Sequence, residues 1–331
     1  MAAFLAAFIK RQFFTEPPKP TTSFAGKTVI VTGSNTGLGL EACRSIVQLG
    51  AKQVIIACRN IEKGKTAATE IQQSTKCSPE TLQVWQLDMS SYSSVQAFAQ
   101  RASSELERVD ALMLNAGVMM STFQLAEDNE STITTNVISL FLLALLMHPK
   151  LRETAKTFST QTHITVTGSE LYEMAKFKEA NVPDGQIFNA LADETRKDSL
   201  SDRYNVSKLL VNLIVRQIAL LSPLGSSDVI VNVVAPGFCV TRLGNDNELF
   251  EKAWVKFIVR LLARKPEVGA RTLVYGASAG PETHGQYLPD CKIAPLVGLA
   301  KGEAGEKLQN RVWTELRHKL EATRPGVTTL S

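Results

Sequence analysis

The feature that most constrains the fold of this chain is an alternation of short apolar runs with segments of helical length. The first run, KTVIVT, begins at Lys27 and is followed by a helical stretch around Leu38–Leu49. Short runs rich in β-branched residues that alternate with helices indicate βαβ units and a parallel sheet covered on both faces. The later runs are QVIIAC (53–58), TLQVWQLD (81–88), ALMLN (111–115), HITVTG (163–168), VIVNVVA (229–235) and, as an edge strand, GQYLP (285–289).

This pattern predicts one α/β domain over residues 25–331, built on a doubly wound parallel sheet with helices on both faces. Hydrophobic residues make up 44% of the 331 residues, which is enough for a large core. Sheets of this kind often form a single unit at this length. The stretch Glu303–Ala322 is expected to be a closing helix.

The first 24 residues do not follow the alternation. Residues 1–14, MAAFLAAFIKRQFF, are apolar and then basic, and the apolar run is too short to span a bilayer. The charge follows the apolar run, which is the wrong order for a signal peptide. Two interpretations remain open: a short helix packed on the domain, or an interfacial helix that touches a membrane or the entrance for an apolar substrate. EPPKPTTS (16–23) predicts an extended linker.

The composition argues against several classes of function. The net charge of +4 is spread along the chain without a block of Lys or Arg, so we expect no nucleic-acid partner. The five cysteines lack C-x-x-C spacing and the four histidines are scattered, so no metal site is expected. The odd number of cysteines suits a reducing compartment, which predicts a cytoplasmic protein, with peripheral membrane association through residues 1–14 left open.

In a doubly wound sheet, ligands bind at the carboxyl ends of the strands. The first such end carries TGSNTGLG, in which three glycines follow a strand and open a helix. Glycine permits a tight turn and lets backbone amides approach a phosphate at a helix N-terminus. A glycine turn made only for packing is the alternative. The predicted nucleotide-binding residues here are Gly33, Asn35, Thr36, Gly37, Leu38 and Gly39.

The next strand ends indicate which nucleotide is bound. The second strand ends without an acid and carries Arg59, with Lys63 one turn later. A guanidinium suits a ribose 2′-phosphate, so NADP(H) is predicted over NAD(H), although a solvated surface arginine is the alternative. Asp88 could accept a hydrogen bond from an adenine amino group or serve as the N-cap of a helix that starts near Ser91. At Asn115, the small residues of LNAGVM let the backbone lie against a cofactor.

The fifth strand end carries a candidate catalytic hydroxyl group. VTGSELY places the Ser169 hydroxyl at the rim of the sheet, and YNVSK later puts Tyr204 and Lys208 four residues apart on one helix face. A tyrosine hydroxyl has an ordinary pKa of about 10, and a nearby ammonium favours its ionised form. An ordinary amphipathic helix is the alternative, and it would be preferred if the pair stood alone.

Taken in order, these residues resemble the classical short-chain dehydrogenase/reductase family, of Rossmann type, over about residues 25–290. The likeness is strongest to members related to retinol dehydrogenases. ACRN, GART with VYGASAG (269–280) and ETHGQYLPDCKI (282–293) are similar to fungal members, many of which serve natural-product pathways. The resemblance rests on Thr32, Gly33, Gly37, Gly39, Asp88, Asn115, Ala116, Gly117, Asn136, Ser169, Tyr204, Lys208, Pro236 and Gly237.

The resemblance implies a role for each matching position. Tyr204 would be the acid/base, Ser169 would orient the substrate carbonyl, and Lys208 would lower the pKa of Tyr204 and hold the nicotinamide ribose. Asn136 would steady a water that links the lysine to solvent. A homodimer or homotetramer is implied as well, because the helix that carries the tyrosine often forms the interface. The carboxamide end of the nicotinamide would be held by Pro236, Gly237, Val240 and Thr241.

Three departures from the family pattern stand out. Leu114 replaces the usual first asparagine, and Ser139 stands where the family often has glycine. The gap between Ser169 and Tyr204 is long, so residues of about 170–203 form either a solvated excursion or a lid. Thr167, two residues before the serine on the same face of an extended strand, is the fallback hydroxyl.

The sequence therefore predicts an NADP(H)-dependent oxidoreductase that interconverts a ketone or aldehyde and an alcohol on an apolar small molecule, as a reductase in secondary metabolism. A retinol, steroid or lipid alcohol dehydrogenase of general metabolism and a non-catalytic NADP-binding regulator are the alternatives. The substrate wall is expected at about 238–265, where apolar residues recur at helical spacing, although core packing explains the same pattern.

Overall fold

The structure, a computed structural model, describes residues 8–9, 11–225, 228–240 and 262–330. A seven-stranded sheet with all of its strands parallel lies at the centre, in the order β3-β2-β1-β4-β7-β8-β9, and β5 and β6 form a small antiparallel hairpin beside it. The strands are β1 (Thr28–Thr32), β2 (Gln53–Cys58), β3 (Leu82–Gln86), β4 (Ala111–Leu114), β5 (Leu125–Ala126), β6 (Asn129–Glu130), β7 (Thr162–Thr167), β8 (Val229–Ala235) and β9 (Tyr287–Pro289).

Helices cover both faces of the sheet, and alternate strand residues point into the two layers. The helices are α1 (Gly37–Gln48), α2 (Ile61–Thr75), α3 (Tyr92–Glu105), α4 (Ser131–Phe158), α5 (Ile187–Ala192), α6 (Arg203–Leu221), α7 (Pro266–Gly276) and α8 (Gly302–Thr323). Ile30 of β1 packs with α3, α4, α6 and α8, whereas its neighbours Val29 and Val31 pack with α1, α2 and α7. This confirms the predicted α/β fold.

The strand order reverses between β1 and β4, since the chain first builds outward to β3 and then returns to the other side of β1. In open parallel sheets such a switch point leaves a crevice at the carboxyl ends of the strands. Thr32, Leu114, Thr167 and Ala235 end the four central strands at this edge. The predicted site residues follow these ends.

Among the described residues, the long helix α4 has the length and apolar composition to cross a bilayer, but most of its apolar stretch is buried inside the domain. It is a core helix that packs beside α3. Its second turn, Thr134–Ile138, is π-helical. Such turns frequently mark functional sites, and nothing in the residue pattern predicted this one.

The predicted insertion, about 170–203, is packed rather than solvated. It consists of short 3₁₀ turns and α5, with Phe177, Ile187 and Leu191 fully buried. Arg311 of α8 donates hydrogen bonds to three backbone carbonyls of the insertion, and Glu315 accepts from two of its backbone amides. The interpretation as a solvated excursion is therefore wrong, because the apolar side chains of the segment join the main core and its backbone is fixed to the closing helix.

The described part of the N-terminus lies on the domain. Residues 11–14 are helical, and residues 15–24 continue without regular secondary structure, as expected for an extended connection. Contact of residues 1–14 with a membrane stays a prediction, and Ile9, Phe13 and Phe14 are exposed. Most of the predicted substrate wall falls within 241–261, which lies outside the described residues. The predicted cofactor residue Thr241 lies in the same range.

Candidate active site

The glycine turn between β1 and α1 is shaped by close backbone contacts. Gly33 has a φ of +64°, and a Cβ there would lie 2.9 Å from the Cα of Ala116. A Cβ on Gly39 would lie 2.7 Å from Asn115 Nδ2 and 2.8 Å from the carbonyl oxygen of Gly33. Neither position has room for a side chain, so the turn lies directly against the end of β4.

The N-terminus of α1 is open to a ligand. Thr36 occupies the N-cap position without a side-chain capping bond, and the first helical turn contains no acid. The first amides of a helix have no partner within the helix and carry a partial positive charge, which suits a phosphate. Asn35 and Leu38 are half-buried at the same turn. The residues present therefore fit a dinucleotide pyrophosphate.

Asn115 supports the glycine turn from the neighbouring strand. Its Nδ2 donates to the carbonyl oxygens of Thr32, at 3.0 Å, and Gly33, at 3.3 Å. Its backbone N–H donates to Thr32 Oγ1 at 3.0 Å. The predicted cofactor residue is thus placed at the site, and its side chain is used to hold the loop that would hold the cofactor.

Two cations stand at the end of β2. Arg59 and Lys63 are exposed, and their side chains form no ion pair with any residue that the structure describes. The nearby acid, Glu62, is paired with Lys65 at 2.8 Å. Asn60 caps α2 by accepting a hydrogen bond from the backbone N–H of Lys63. Both cations are therefore available to an anion, which fits a ribose 2′-phosphate.

Asp88 stabilises the turn after β3. Its Oδ1 accepts hydrogen bonds from the backbone N–H of Ser90, at 2.9 Å, and from the Ser90 hydroxyl, at 2.6 Å. The N-cap of α3 is Ser91, whose hydroxyl accepts from the backbone N–H of Ser94. The N-cap interpretation of Asp88 is therefore wrong, because the helix starts too far along the chain for this carboxylate to reach its first turn.

Ser169, Tyr204 and Lys208 are brought together where β7 ends and α6 begins. The side chain of Ser169 faces the Tyr204 phenol closely enough to lower the pKa of that hydroxyl. Lys208 Nζ donates to the carbonyl oxygen of Thr167 at 2.7 Å and lies 5.5 Å from the centroid of the tyrosine ring. Thr167 Oγ1 has no hydrogen-bond partner among the described residues. Ser169, and not the fallback threonine, therefore supplies the hydroxyl that meets the phenol.

The electrostatics of this group are dominated by burial. Burial raises the pKa of Tyr204 to about 12, and the side chain of Ser169 acts in the opposite direction but is weaker. Burial also lowers the pKa of Lys208 to about 8. Lys208 is not among the groups that shift the pKa of Tyr204 here, so the lowering of that pKa by the lysine stays a prediction. Both groups are desolvated, and the ammonium is directed at a backbone carbonyl.

Asn136 lies fully buried in the π-helical turn of α4. Its Oδ1 accepts from the backbone N–H of Val118 at 2.8 Å, and its Nδ2 donates to the Val118 carbonyl and to Ser207 Oγ. A Cβ on Gly117 would lie 3.2 Å from this Oδ1 and 3.9 Å from Lys208 Nζ, so both side chains flank that glycine. The side chain thus joins the end of β4 to α6, and its role towards a water stays a prediction.

At the end of β8, Gly237 has a φ of +76°, and a Cβ there would lie 2.7 Å from Arg264 Nη1. Arg264 donates from this nitrogen to the Pro236 carbonyl at 3.1 Å. Val240 is exposed, and its backbone N–H donates to the Arg264 carbonyl. The backbone after β8 is therefore held from one side by a buried arginine that the residue pattern did not single out.

Arg203 is a second residue that was missed. It directly precedes Tyr204, is 1% exposed and pairs with Glu179 of the insertion at 2.9 Å. Its Nε also lies 3.7 Å from Glu130, which caps α4 by accepting from the backbone amides of its first turn. A charged residue at the start of a helix is usually exposed, so the sequence offers no signal for this buried cluster.

A family model described as short chain dehydrogenase matches residues 27–181. The chain belongs to the short-chain dehydrogenase/reductase family, whose members are oxidoreductases that bind NAD or NADP. It is 44% identical over 322 residues to the short chain dehydrogenase/reductase dmxR8 of Cryptosporiopsis sp., covering 97% of this chain and 98% of that one. It is 38% identical to the short-chain dehydrogenase anuD of Penicillium roqueforti, covering 97% and 84%. The predicted family and its fungal likeness are confirmed.

Solved structures share the fold. The Pseudomonas aeruginosa RhlG/NADP active-site complex has a TM-score of 0.60 and 22% identity, over 82% of this chain and 96% of that one. A 7α-hydroxysteroid dehydrogenase complexed with NADH and 7-oxo glycochenodeoxycholic acid has a TM-score of 0.59 and 23% identity, over 81% and 94%. At these identities the likeness concerns the fold, and the two neighbours carry different coenzymes.

Proposed function

We propose that the protein is an NADP(H)-dependent reductase that converts the ketone or aldehyde of an apolar small molecule into an alcohol, in fungal secondary metabolism. The observation that carries this proposal is the grouping of Ser169, Tyr204 and Lys208, in which Lys208 Nζ lies 5.5 Å from the tyrosine ring and donates to the Thr167 carbonyl. This group lies at the same edge of the sheet as the glycine turn, so a single extended dinucleotide reaches both.

The proposed chemistry divides a reduction into hydride and proton transfer. A bound nicotinamide supplies the hydride to the carbonyl carbon. Tyr204 would donate its proton to the carbonyl oxygen, and Ser169, whose side chain faces that phenol, would orient the same oxygen. Because burial raises the pKa of Tyr204 to about 12, the phenol is protonated at neutral pH, which is the form that reduction needs.

The proposed preference for NADPH rests on the end of β2. Arg59 and Lys63 are exposed there and form no ion pair within the described part of the chain, and they would hold a 2′-phosphate that NADH lacks. The pyrophosphate would lie on the turn from Gly33 to Gly39 and on the open N-terminus of α1, and Asp88 would receive the adenine amino group. Gly237, with Val240 and Thr241, would meet the carboxamide end.

The test is a Tyr204→Phe variant assayed with NADPH and a panel of apolar ketones and aldehydes. We expect turnover to fall by about 10³-fold or more, because general acid catalysis is lost, while the affinity for NADPH is unchanged. Tyr275→Phe on α7, which lies outside the group at the ends of β7 and β8, is the matched control and should keep full activity. Near-normal turnover of Tyr204→Phe would contradict the proposal.

The alternative regulator on the same fold makes a different prediction. It would bind NADPH and show no turnover with any substrate of the panel, even as the wild-type protein. An alcohol dehydrogenase of general metabolism would instead oxidise retinol, steroid or lipid alcohols with NADP⁺ faster than it reduces the corresponding carbonyl compounds. Measuring both directions at pH 7 therefore separates the three candidate functions.

A further inference from the structure

The N-terminal segment, defined as residues 11–17, is attached to the end of β7. Arg11 Nη1 lies 3.2 Å from Glu170 Oε1, and Arg11 Nη2 lies 3.4 Å from Glu173 Oε1. Glu170 is buried and directly follows Ser169, the residue whose hydroxyl meets Tyr204. The segment therefore touches the chain one residue away from the proposed catalytic group.

The same segment is attached to the end of β8 through Gln12, which is only 9% exposed. Gln12 Nε2 donates to the carbonyl oxygens of Phe238 and Leu262, each at 2.8 Å, and its Oε1 accepts from the backbone N–H of Phe238 at 3.2 Å. One primary amide thus satisfies both backbone groups of the residue that directly follows Gly237. The ring of Phe8 packs on the ring of Phe238, with centroids 6.5 Å apart.

Arg264 completes the attachment from the other side. Its Nη2 donates to the carbonyl oxygens of Arg11, at 2.5 Å, and Thr15, at 2.7 Å, while its Nη1 donates to Pro236 and pairs with Asp290 at 2.5 Å. This guanidinium is buried, so its donors need these partners. The N-terminal segment and the Pro236–Gly237 turn are therefore two sides of one hydrogen-bonded unit.

We propose that the N-terminal segment is a structural wall of the active site and that Gln12 is a positioning residue, which fixes the Gly237–Phe238 backbone where the nicotinamide must lie. This inference rests on the proposed function. Misplacement of a reacting group by about 1 Å costs roughly 10²-fold in rate. The loss of the two hydrogen bonds to Phe238 and the one to Leu262 should therefore affect hydride transfer more than binding of the distant adenine half.

The test compares Gln12→Ala and Gln12→Glu with Lys19→Ala, an exposed residue beyond the segment. Glutamate keeps the size of the side chain, but its carboxylate has no N–H to donate to the carbonyl oxygens of Phe238 and Leu262. For both Gln12 variants we expect kcat/KM to fall roughly ten- to hundredfold and the deuterium isotope effect with 4-deuterated NADPH to rise. The affinity for adenosine 2′,5′-bisphosphate should stay unchanged.

A merely structural role for Gln12 would lower the melting temperature and the fraction of enzyme that binds NADPH, without changing the isotope effect or the activity per binding-competent site. That result, or kinetics equal to those of Lys19→Ala, would overturn the inference. If the wild type turns over no carbonyl compound, the proposed function fails by itself. Gln12 is then tested by binding: selective loss of NADPH affinity with unchanged binding of adenosine 2′,5′-bisphosphate supports the inference, and equal affinities overturn it.

Discussion

The two halves of the carboxyl edge of the sheet are built from different interactions. The half formed by β1, β2 and β4 relies on glycine and backbone contacts: Gly33 and Gly39 pack against β4, and Asn115 donates to loop carbonyls. The half formed by β7 and β8 relies on buried charges, with Arg203 on Glu179 and Arg264 on Asp290. The first half is shaped to receive a ligand's phosphates, and the second to hold protein groups in fixed positions.

The difference follows from what each half must do. A phosphate is recognised by amides that no side chain obstructs, so the chain has to remove side chains there. Proton transfer needs a hydroxyl held within hydrogen-bond reach, which requires rigid surroundings. Removing one partner of a buried ion pair strongly destabilises the folded protein, because the remaining charge is left buried without compensation. We therefore expect substitutions in the first half to affect cofactor affinity, and substitutions in the second half to affect stability and rate.

The largest expected effect is that of Arg203→Met. The variant leaves the carboxylates of Glu179 and Glu130 buried without their guanidinium, so the free energy of unfolding should fall by about 4 kcal/mol in urea denaturation. Lys307→Met, which breaks an exposed pair with Glu303 on α8, is the control and should cost less than about 1 kcal/mol.

Adding Glu179→Gln to Arg203→Met should restore part of the lost stability, because one unpaired charge is removed. Equal stabilities of Arg203→Met and Lys307→Met would show that the buried cluster does not support this half of the edge.

The second-largest expected effect lies in the half of the edge that is formed by β1, β2 and β4. A Gly39→Ala variant places a Cβ 2.7 Å from Asn115 Nδ2 and 2.8 Å from the Gly33 carbonyl oxygen, which must displace the turn. We expect NADPH affinity to fall about 100-fold, or about 3 kcal/mol, in a fluorescence titration. Gly302→Ala serves as a control for general strain, because Gly302 has a φ of +64° but an added Cβ would have no atom within 4 Å. This variant should leave the affinity unchanged.

The pH dependence of stability tests the desolvation of the second half. Burial lowers the pKa of Lys208 from 10.5 to about 8, so between these values the unfolded chain binds more protons than the folded protein, and stability rises with pH. Between pH 8 and pH 10 this contributes about 2 kcal/mol to the wild type. The gain should be missing in Lys208→Met. Parallel unfolding curves of the two proteins over this range would argue against a desolvated ammonium.

The smallest effect concerns the coenzyme. Arg59→Asp replaces an exposed cation at the end of β2 by an acid, and the ratio of kcat/KM for NADPH over NADH should fall by at least about tenfold. Lys52→Asp, at the opposite end of the same strand, is the matched control. An unchanged ratio in Arg59→Asp would mean that the guanidinium does not meet the 2′-phosphate.

The sequence predicts the first half well because its requirements are local. The glycines recur at short spacing, and β2 begins and ends where its apolar run does. Arg203 and Gln12 were missed because their partners are remote in the chain: Glu179 is 24 residues from Arg203, and Phe238 is 226 residues from Gln12. A charged or amide side chain next to apolar residues has the same pattern whether it is exposed or buried, so only the tertiary structure distinguishes the two cases.

The close packing of the insertion has a consequence for protein engineering. One way to alter substrate range would be to exchange residues of about 170–203 between relatives. The backbone of these residues is bound by Arg311 and Glu315 of the closing helix, and the side chain of Glu179 pairs with Arg203 at the start of α6. A functional chimera therefore has to transfer α8 together with the insertion, and the natural unit of recombination is a pair of segments that are separated in the chain by α6, β8, α7 and β9.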